Sequence, residues 1–239
     1  MITESVSHDI SVSGSSAPVR MLSSFGSDPK FYSNGAAIYG EVNDGSLVRI
    51  HSRCMYSEVF DSRECDCGWQ LRRSRQMLTL QGGVLIYLDQ EGRGAGLRAK
   101  ANAYRLNQED GLDTYQAYEK LGLPADLRDY SDAVDVLKFL GLISVRLLTN
   151  NPDKVRSLEN AGMTVIRVPL RAEPTPTTVA YLQAKKRHGH LLLREGRARQ
   201  VGVRSAPPAG RYHHGSGRVL SVTFGALVDI FRRLSDYCR

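Results

Sequence analysis

The sequence contains no apolar stretch that approaches the length of a membrane-spanning helix. Residues 1–19 are rich in serine and lack the apolar run of a secretory signal. Cysteine is scarce as well: there are four, and a chain of 239 residues with 41% hydrophobic residues can build a core without disulfides. We therefore expect a protein of the reducing cytoplasm that has no membrane partner.

Acidic residues are nearly absent from residues 185–218, where Glu195 stands against nine basic residues. This segment alone carries a charge of +8, whereas the whole chain carries +7, so the rest of the chain is close to neutral. Such a basic segment is compatible with nucleic acid, an anionic membrane or a phosphorylated small molecule as partner. Tyr212 is the only aromatic residue between positions 194 and 218, so base stacking is poorly supplied and nucleic acid is disfavoured.

Hydrophobic periodicity predicts strands that alternate with helices, which is typical of an α/β layer architecture. Residues 36–50 are predicted to form a hairpin around the turn signal Asn43-Asp44-Gly45. Further strands are predicted at 84–88, 144–148 and 164–168, and helices at 68–80, 95–107, 115–121, 131–140, 152–161 and 177–188.

Composition divides the chain into three parts. Residues 1–18 are polar and are predicted to be a mobile N-terminal arm, and residues 19–193 are predicted to be the folded domain. Residues 194–217 have the Arg, Gly, Pro and Ser content of a linker, and apolar residues at helical spacing predict a helix at 224–237. Residues 194–239 are thus predicted to be a basic linker followed by a C-terminal helix.

Three of the four cysteines, Cys54, Cys65 and Cys67, fall within fourteen residues. Clustered cysteines in a reducing compartment suggest a metal, and a zinc ion with three protein ligands keeps one coordination position open, as catalytic sites do. Two alternatives remain: a closed structural site in which His51 is the fourth ligand, and buried thiols that bind no metal.

Longer motifs surround these cysteines in a specific order. They are Arg49-Ile50-His51-Ser52 with Cys54, Cys65-Asp66-Cys67-Gly68 with Gln70, Gln90-Glu91-Gly92-Arg93-Gly94, Asp113-Thr114, Ala125-Asp126-Leu127-Arg128-Asp129-Tyr130, Leu147-Leu148-Thr149-Asn150-Asn151-Pro152 with Lys154, Tyr181-Leu182, and Gly189-His190-Leu191-Leu192. Over residues 36–193 this series resembles GTP cyclohydrolase II.

The resemblance implies a fold and a reaction. The fold would be that family's mixed sheet with flanking helices, in a single catalytic domain followed here by a C-terminal extension. The reaction would convert GTP and water to 2,5-diamino-6-ribosylamino-4(3H)-pyrimidinone 5′-phosphate, formate and pyrophosphate, the first step of riboflavin biosynthesis. The resemblance further implies a homodimer, one Zn²⁺ per subunit and Mg²⁺ bound with the triphosphate.

The resemblance also assigns roles to residues of this chain. Cys54, Cys65 and Cys67 would hold zinc, and Asp126 would accept a proton, although without the family it is typical of a solvated turn carboxylate. Arg128 would act at the α-phosphate, and because a guanidinium stays protonated, stabilising charge suits it better than covalent attack. The GTP-binding set would be Arg49, Ile50, His51, Ser52, Arg53, Gln70, Glu91, Gly92, Arg93, Thr114, Thr149 and Lys154.

Charged residues depart from the family pattern at three places. Arg53 stands where the family usually has Glu, Asp89 where it has Arg, and Arg63-Glu64 where it has Leu-Arg. One hypothesis is that Arg53 and Asp89 form a reversed ion pair. Two others are a paralogue of specialised metabolism that retains the formyl group or the triphosphate, and a zinc protein that binds GTP or nucleic acid without catalysis.

Overall fold

The computed structural model describes residues 6–23 and 34–190. Within these residues the strands are β1 (Val6–Ile10), β2 (Val19–Ser23), β3 (Gly35–Tyr39), β4 (Ser46–Ser52), β5 (Gly83–Leu88), β6 (Ser144–Leu148) and β7 (Thr164–Val168). The helices are α1 (Met55–Glu58), α2 (Cys67–Gln81), α3 (Gly96–Asp110), α4 (Thr114–Lys120), α5 (Ser131–Phe139), α6 (Pro152–Asn160) and α7 (Val179–Arg187).

The strands form one mixed sheet in the order β1-β2-β3-β5-β4-β6-β7. The pairs from β1 to β5 are antiparallel, whereas β5, β4, β6 and β7 run parallel to one another. This arrangement confirms the predicted α/β class with a mixed sheet and flanking helices. Among the helices of the described ranges, none is both long and apolar enough to cross a membrane.

Alternate strand residues pack on opposite faces of the sheet, as the two-residue period of a strand requires. In β5, Val84 and Ile86 join a core cluster with α5 and α6, while Leu85 joins a second cluster with Leu78 of α2. Because β5 is buried on both faces, its apolar run is continuous rather than alternating.

The predicted hairpin at residues 36–50 is wrong. Both of its strands exist, but β5 lies between β3 and β4, antiparallel to the first and parallel to the second. The turn at Asp44-Gly45 is present, yet the connection from Tyr39 to Ser46 passes across the start of β5. A turn signal between two apolar runs does not reveal that a later strand separates them.

Gly83 allows β5 to enter this central position. Its φ is +126°, and a Cβ placed there would lie 2.1 Å from the carbonyl oxygen of Leu47. That separation is far inside van der Waals contact, so only glycine lets the start of β5 approach β4 so closely.

The N-terminal arm also departs from expectation. Val6–Ile10 forms strand β1, paired with β2 at the edge of the sheet, so this part of residues 1–18 is not a free arm. A short polar edge strand has no apolar alternation by which the sequence could reveal it. The other predicted helices and strands agree with the structure to within a few residues, and the predicted linker and helix of residues 194–239 lie outside the described residues.

Candidate active site

A cleft of about 950 Å³ opens at the carboxyl ends of the parallel strands β4, β5 and β6. Ligand sites in α/β sheets lie at this edge because the loops that follow parallel strands meet there. The cleft is lined by all the site residues predicted from sequence except Ile50 and Asp126. The Ile50 side chain lies in the core, and its carbonyl oxygen accepts a hydrogen bond from Lys154 Nζ at 2.9 Å.

Three cysteines form one wall of the cleft. Cys54 follows β4, whereas Cys65 and Cys67 lie at the start of α2, and the three Sγ atoms lie within 4.8 Å of one another. Hydrogen bonds from Cys54 and Cys65 hold the pKa of the Cys67 thiol well below its usual value, while hydrogen bonds to the other two thiols raise the pKa of Cys65. Three sulfurs this close can all be thiolates only around a cation, so the donor set suits zinc.

The structure disfavours the closed four-ligand alternative. The buried His51 ring is held at both nitrogens: Arg49 Nη2 donates to Nδ1 at 3.1 Å, and Nε2 lies 2.7 Å from Glu58 Oε1. Because an arginine can only donate, Nδ1 must accept and Nε2–H donates to Glu58. Burial lowers the pKa of His51. Within the described ranges no other His, Cys, Asp or Glu joins the three-cysteine cluster.

Two buried lysines lie beside the cysteine wall, one in contact with Cys54 and one with Asp66, and sequence reasoning missed both as site residues. Lys100 of α3 donates to Cys54 Sγ at 3.1 Å and to Glu91 Oε1 at 2.7 Å. Lys185 of α7 donates to Asp66 Oδ1 at 2.7 Å, although its place in sequence puts it in the basic segment. Their burial on helices was foreseeable from periodicity, but their partners, 46 and 119 residues away, were not.

The floor of the cleft carries positive charge, and among the described residues neither Lys154 nor Arg49 forms an ion pair with a carboxylate. Lys154 is buried, and burial together with the charges of Arg49 and Arg128 lowers its pKa well below the usual value. Burial likewise lowers the pKa of Arg49 to about 10. The Arg49 Nε atom is buried with no hydrogen-bond partner in the described structure. A buried donor left without an acceptor beside other cations is typical of an anion-binding site.

The segment after β5 forms a single tight turn, Glu91–Gly94, in which Gly92 and Arg93 have φ values of 58° and 56°. The left-handed conformation of Arg93 is held because Arg93 O accepts from Leu127 N at 2.9 Å. Its guanidinium lies 3.7 Å from the centre of the Tyr115 ring. A strained non-glycine residue fixed by several contacts is characteristic of functional loops.

Both carboxylate oxygens of Glu91 accept hydrogen bonds from other groups of the protein. Its Oε1 accepts from Lys100 and from Gly92 N, and its Oε2 accepts from Met55 N at 2.6 Å. The carboxylate thus ties the turn after β5 to the segment that carries Cys54. Recognition of a ligand by Glu91 stays a prediction, and in this structure the side chain positions the loop.

Asp126 and Arg128 form a two-pronged ion pair in the loop before α5. Arg128 Nε donates to Asp126 Oδ1 at 2.8 Å, and Nη2 contacts Oδ2. Burial opposes ionisation of Asp126, but the Arg128 hydrogen bonds hold the pKa of that carboxyl below its usual value. Arg128 lines the cleft, whereas Asp126 faces a neighbouring depression.

The predicted contact between Arg53 and Asp89 is confirmed. Arg53 Nη1 donates to Asp89 Oδ1 at 2.9 Å, which joins the residues that follow β4 and β5 at the rim of the cleft. Asp89 is also fixed by its backbone, because its N–H donates to Asn34 Oδ1. Arg63 and Glu64 lie away from this contact, and nothing in the structure explains their departure from the family pattern.

Fold and site together define an α/β protein with a three-cysteine wall that could hold a metal ion beside a cationic pocket. Residues 21–169 match the family described as GTP cyclohydrolase II, and the chain belongs to that family.

Several proteins that are similar in sequence share the name riboflavin biosynthesis protein RibBA. Riboflavin biosynthesis protein RibBA of Bacillus cereus strain B4264 is 49% identical over 162 residues, which cover 66% of this chain and 41% of that protein. The RibBA proteins of Bacillus mycoides strain KBAB4 and Bacillus cytotoxicus are 49% identical over the same length. The chain therefore spans about two fifths of the length of the curated relatives that it matches.

Proposed function

We propose that this chain hydrolyses GTP, opening its imidazole ring and releasing formate and pyrophosphate to give 2,5-diamino-6-ribosylamino-4(3H)-pyrimidinone 5′-phosphate. This reaction would begin riboflavin biosynthesis, the process that the names of the RibBA relatives state. The observation that carries the proposal is the three-cysteine wall that faces a floor of unpaired cations in one cleft. A hydrolytic metal and a polyphosphate site are the two requirements of this reaction.

Zinc fits the cysteine wall, where Cys54, Cys65 and Cys67 would hold it with one position open. Bound there, it supplies Lewis acidity and an activated water for attack on a ring carbon. Lys100 and Lys185, which contact Cys54 and Asp66, place positive charge beside this sulfur-rich wall. Mg²⁺ keeps several of its waters when bound and takes phosphate oxygens as ligands, so it would be held mainly by the triphosphate and water.

The cationic floor would bind the triphosphate. Arg49 Nε has a free proton to donate, and Lys154 and Arg93 lie on the same cleft. Arg128 also lines the cleft, where its fixed positive charge would stabilise charge on the α-phosphate as pyrophosphate leaves. This electrostatic role needs no deprotonated guanidinium.

The ion pair of Asp126 with Arg128 favours one alternative outcome. A proton acceptor must reach the reacting atoms, yet Asp126 is paired with Arg128 and is not among the residues that line the cleft. If the pair persists when GTP binds, the loss of the formyl group slows relative to ring opening, and the enzyme releases a formylated product. A paralogue of specialised metabolism would have this character.

The test is to incubate the full chain with GTP, Zn²⁺ and Mg²⁺, and to identify products by mass spectrometry with parallel assays of formate and pyrophosphate. We expect one zinc per chain and all three products. Cys65→Ser should lose zinc and turnover together, whereas Cys238→Ser, which changes the cysteine remote in sequence, should keep both.

The products separate the alternatives. A retained formyl group or triphosphate would identify the altered reaction, and zinc binding without turnover would leave only a binding role. The homodimer stays a prediction from the resemblance, and light scattering of the purified protein tests it. The cytoplasmic setting stays a prediction from the composition of the sequence.

A further inference from the structure

Helix α7 lies beyond the family match, which ends at residue 169, yet it contributes to the cleft. Tyr181, Lys185 and His190 all line the cavity. The reaction proposed above does not use His190.

The end of α7 aims His190 at the cleft through a defined cap. Gly189 has a φ of 83°, its N–H donates to Lys186 O at 3.2 Å, and the His190 N–H donates to Lys185 O at 3.0 Å. These two bonds are the pair that defines a Schellman motif, in which the left-handed glycine reverses the chain. The half-buried imidazole is therefore positioned by backbone geometry and not by a side-chain partner.

The charged groups that act most strongly on the pKa of His190 are cationic. They are Lys185 on its own helix, Arg128 from the loop before α5, Arg93 from the turn after β5, and Lys154 on α6. Asp66 holds Lys185 and Asp126 holds Arg128, but within the described residues no side chain forms a hydrogen bond or ion pair with the His190 ring. Burial, and after it these cations, lower the pKa of His190 to about 3, so the ring is neutral in the empty cleft.

We propose that His190 is a phosphate-contacting residue that takes up a proton when a polyphosphate enters the cleft. The inference deepens the proposed function, on which its choice of ligand rests. An anion that reaches the four cations cancels their repulsion of a protonated imidazole and places a negative charge beside the ring, which offsets the cost of burying its charge. The protonated ring can then donate a hydrogen bond to a phosphate oxygen. No bond to carbon or phosphorus changes in this step: one proton passes from solvent to the ring.

The test uses inorganic tripolyphosphate as probe and the full zinc-loaded chain. Calorimetric titration near pH 6 in two buffers of different ionisation enthalpy gives the number of protons taken up per ligand. The variants are His190→Gln, which keeps a polar side chain that cannot be protonated, and His8→Gln, a control on β1 away from the cleft.

For wild type and His8→Gln we expect an uptake that exceeds that of His190→Gln by up to about one proton. Binding near pH 6 should be roughly tenfold tighter than in His190→Gln, and the difference should vanish near pH 8.5, where the ring no longer gains a proton. Equal uptake and equal affinity in all three proteins would overturn the inference.

A second measurement does not depend on a variant that folds. In the wild-type chain with ¹⁵N-labelled histidine, the ring nitrogens of His190, assigned by through-bond correlation, should shift to the protonated position on addition of tripolyphosphate. An unchanged neutral signal at saturation would refute proton uptake. His51 is distinguished because its two ring nitrogens already contact Arg49 and Glu58.

The two proposals fail separately. Release of formate from GTP without proton uptake at His190 would leave the enzyme proposal standing and remove this inference. Uptake at His190 with no turnover of GTP would do the reverse.

Discussion

At the scale of single residues, the pair of Arg53 and Asp89 tests whether an ion pair stabilises the protein equally when its two charges are exchanged. Arg53→Glu and Asp89→Arg should each place like charges at the cleft rim and destabilise the protein by about 0.3 kcal/mol. The double variant should recover most of that loss. Because the side chains are 38% and 23% exposed, we expect a coupling of only about 0.5 kcal/mol from urea unfolding of the four proteins.

A matched reversal of the exposed pair Arg105 and Glu109 on α3 serves as control. It should show similar coupling in stability and no change in the KM for GTP, since neither residue lines the cleft. If the Arg53 and Asp89 variants prove strictly additive, the contact carries no energy and the reversed-pair hypothesis is lost.

At the residue scale, only part of the candidate site could be predicted from the sequence. Cys54, Cys65 and Cys67 could be grouped because they are close in sequence, and motif order placed Arg49, Gln70 and Lys154 with them. Lys100 and Lys185 were not found, because their contacts with Cys54 and Asp66, which place them beside the cysteine wall, span 46 and 119 residues of sequence. The orientation of Asp126 toward Arg128 was equally invisible, since it depends on side-chain rotamers in a loop.

At the scale of secondary structure elements, the entry of β5 between β3 and β4 depends on Gly83. We expect Gly83→Ala to destabilise the protein by roughly 3 kcal/mol, because the methyl group would overlap the Leu47 carbonyl and alanine disfavours a φ of +126°. Thermal and urea unfolding measure the loss.

Gly111→Ala provides the comparison. Gly111 follows α3 with a φ of +67°, and a methyl group placed on it would meet no atom within 4 Å, so only the backbone cost of about 1 kcal/mol applies. Similar losses at both positions would mean that close approach to Leu47 is unimportant.

The helices and strands differ in how clearly the local sequence predicts them. Helix α6 begins as predicted because Asn151 caps it and Pro152 occupies its first turn. Strand β5 was predicted from its apolar run, but its neighbours were not, because pairing is decided by packing between distant segments. Strand β1 was not predicted because residues 7–10 are exposed and mostly polar.

At the scale of the whole molecule, the sheet, the cysteine wall and the cleft lie within residues 6–23 and 34–190. We therefore predict that a chain ending at residue 193 keeps its zinc and melts within about 3 °C of the full chain. Scanning calorimetry and metal analysis of both proteins check this. A much lower melting temperature, or loss of zinc, would place residues 194–239 inside the folded unit and refute the predicted domain boundary.

The central place of β5 also has a consequence for synthesis on the ribosome. Strands β1 to β4 are synthesised first, but the edges of β3 and β4 that flank β5 have no partner until Leu88 appears, 36 residues after Ser52. At ordinary rates of elongation this interval lasts about 2–7 s. During this interval two apolar strand edges are unpaired, so chaperones can bind the nascent chain. In a simple hairpin the two strands would pair as soon as the second one had emerged.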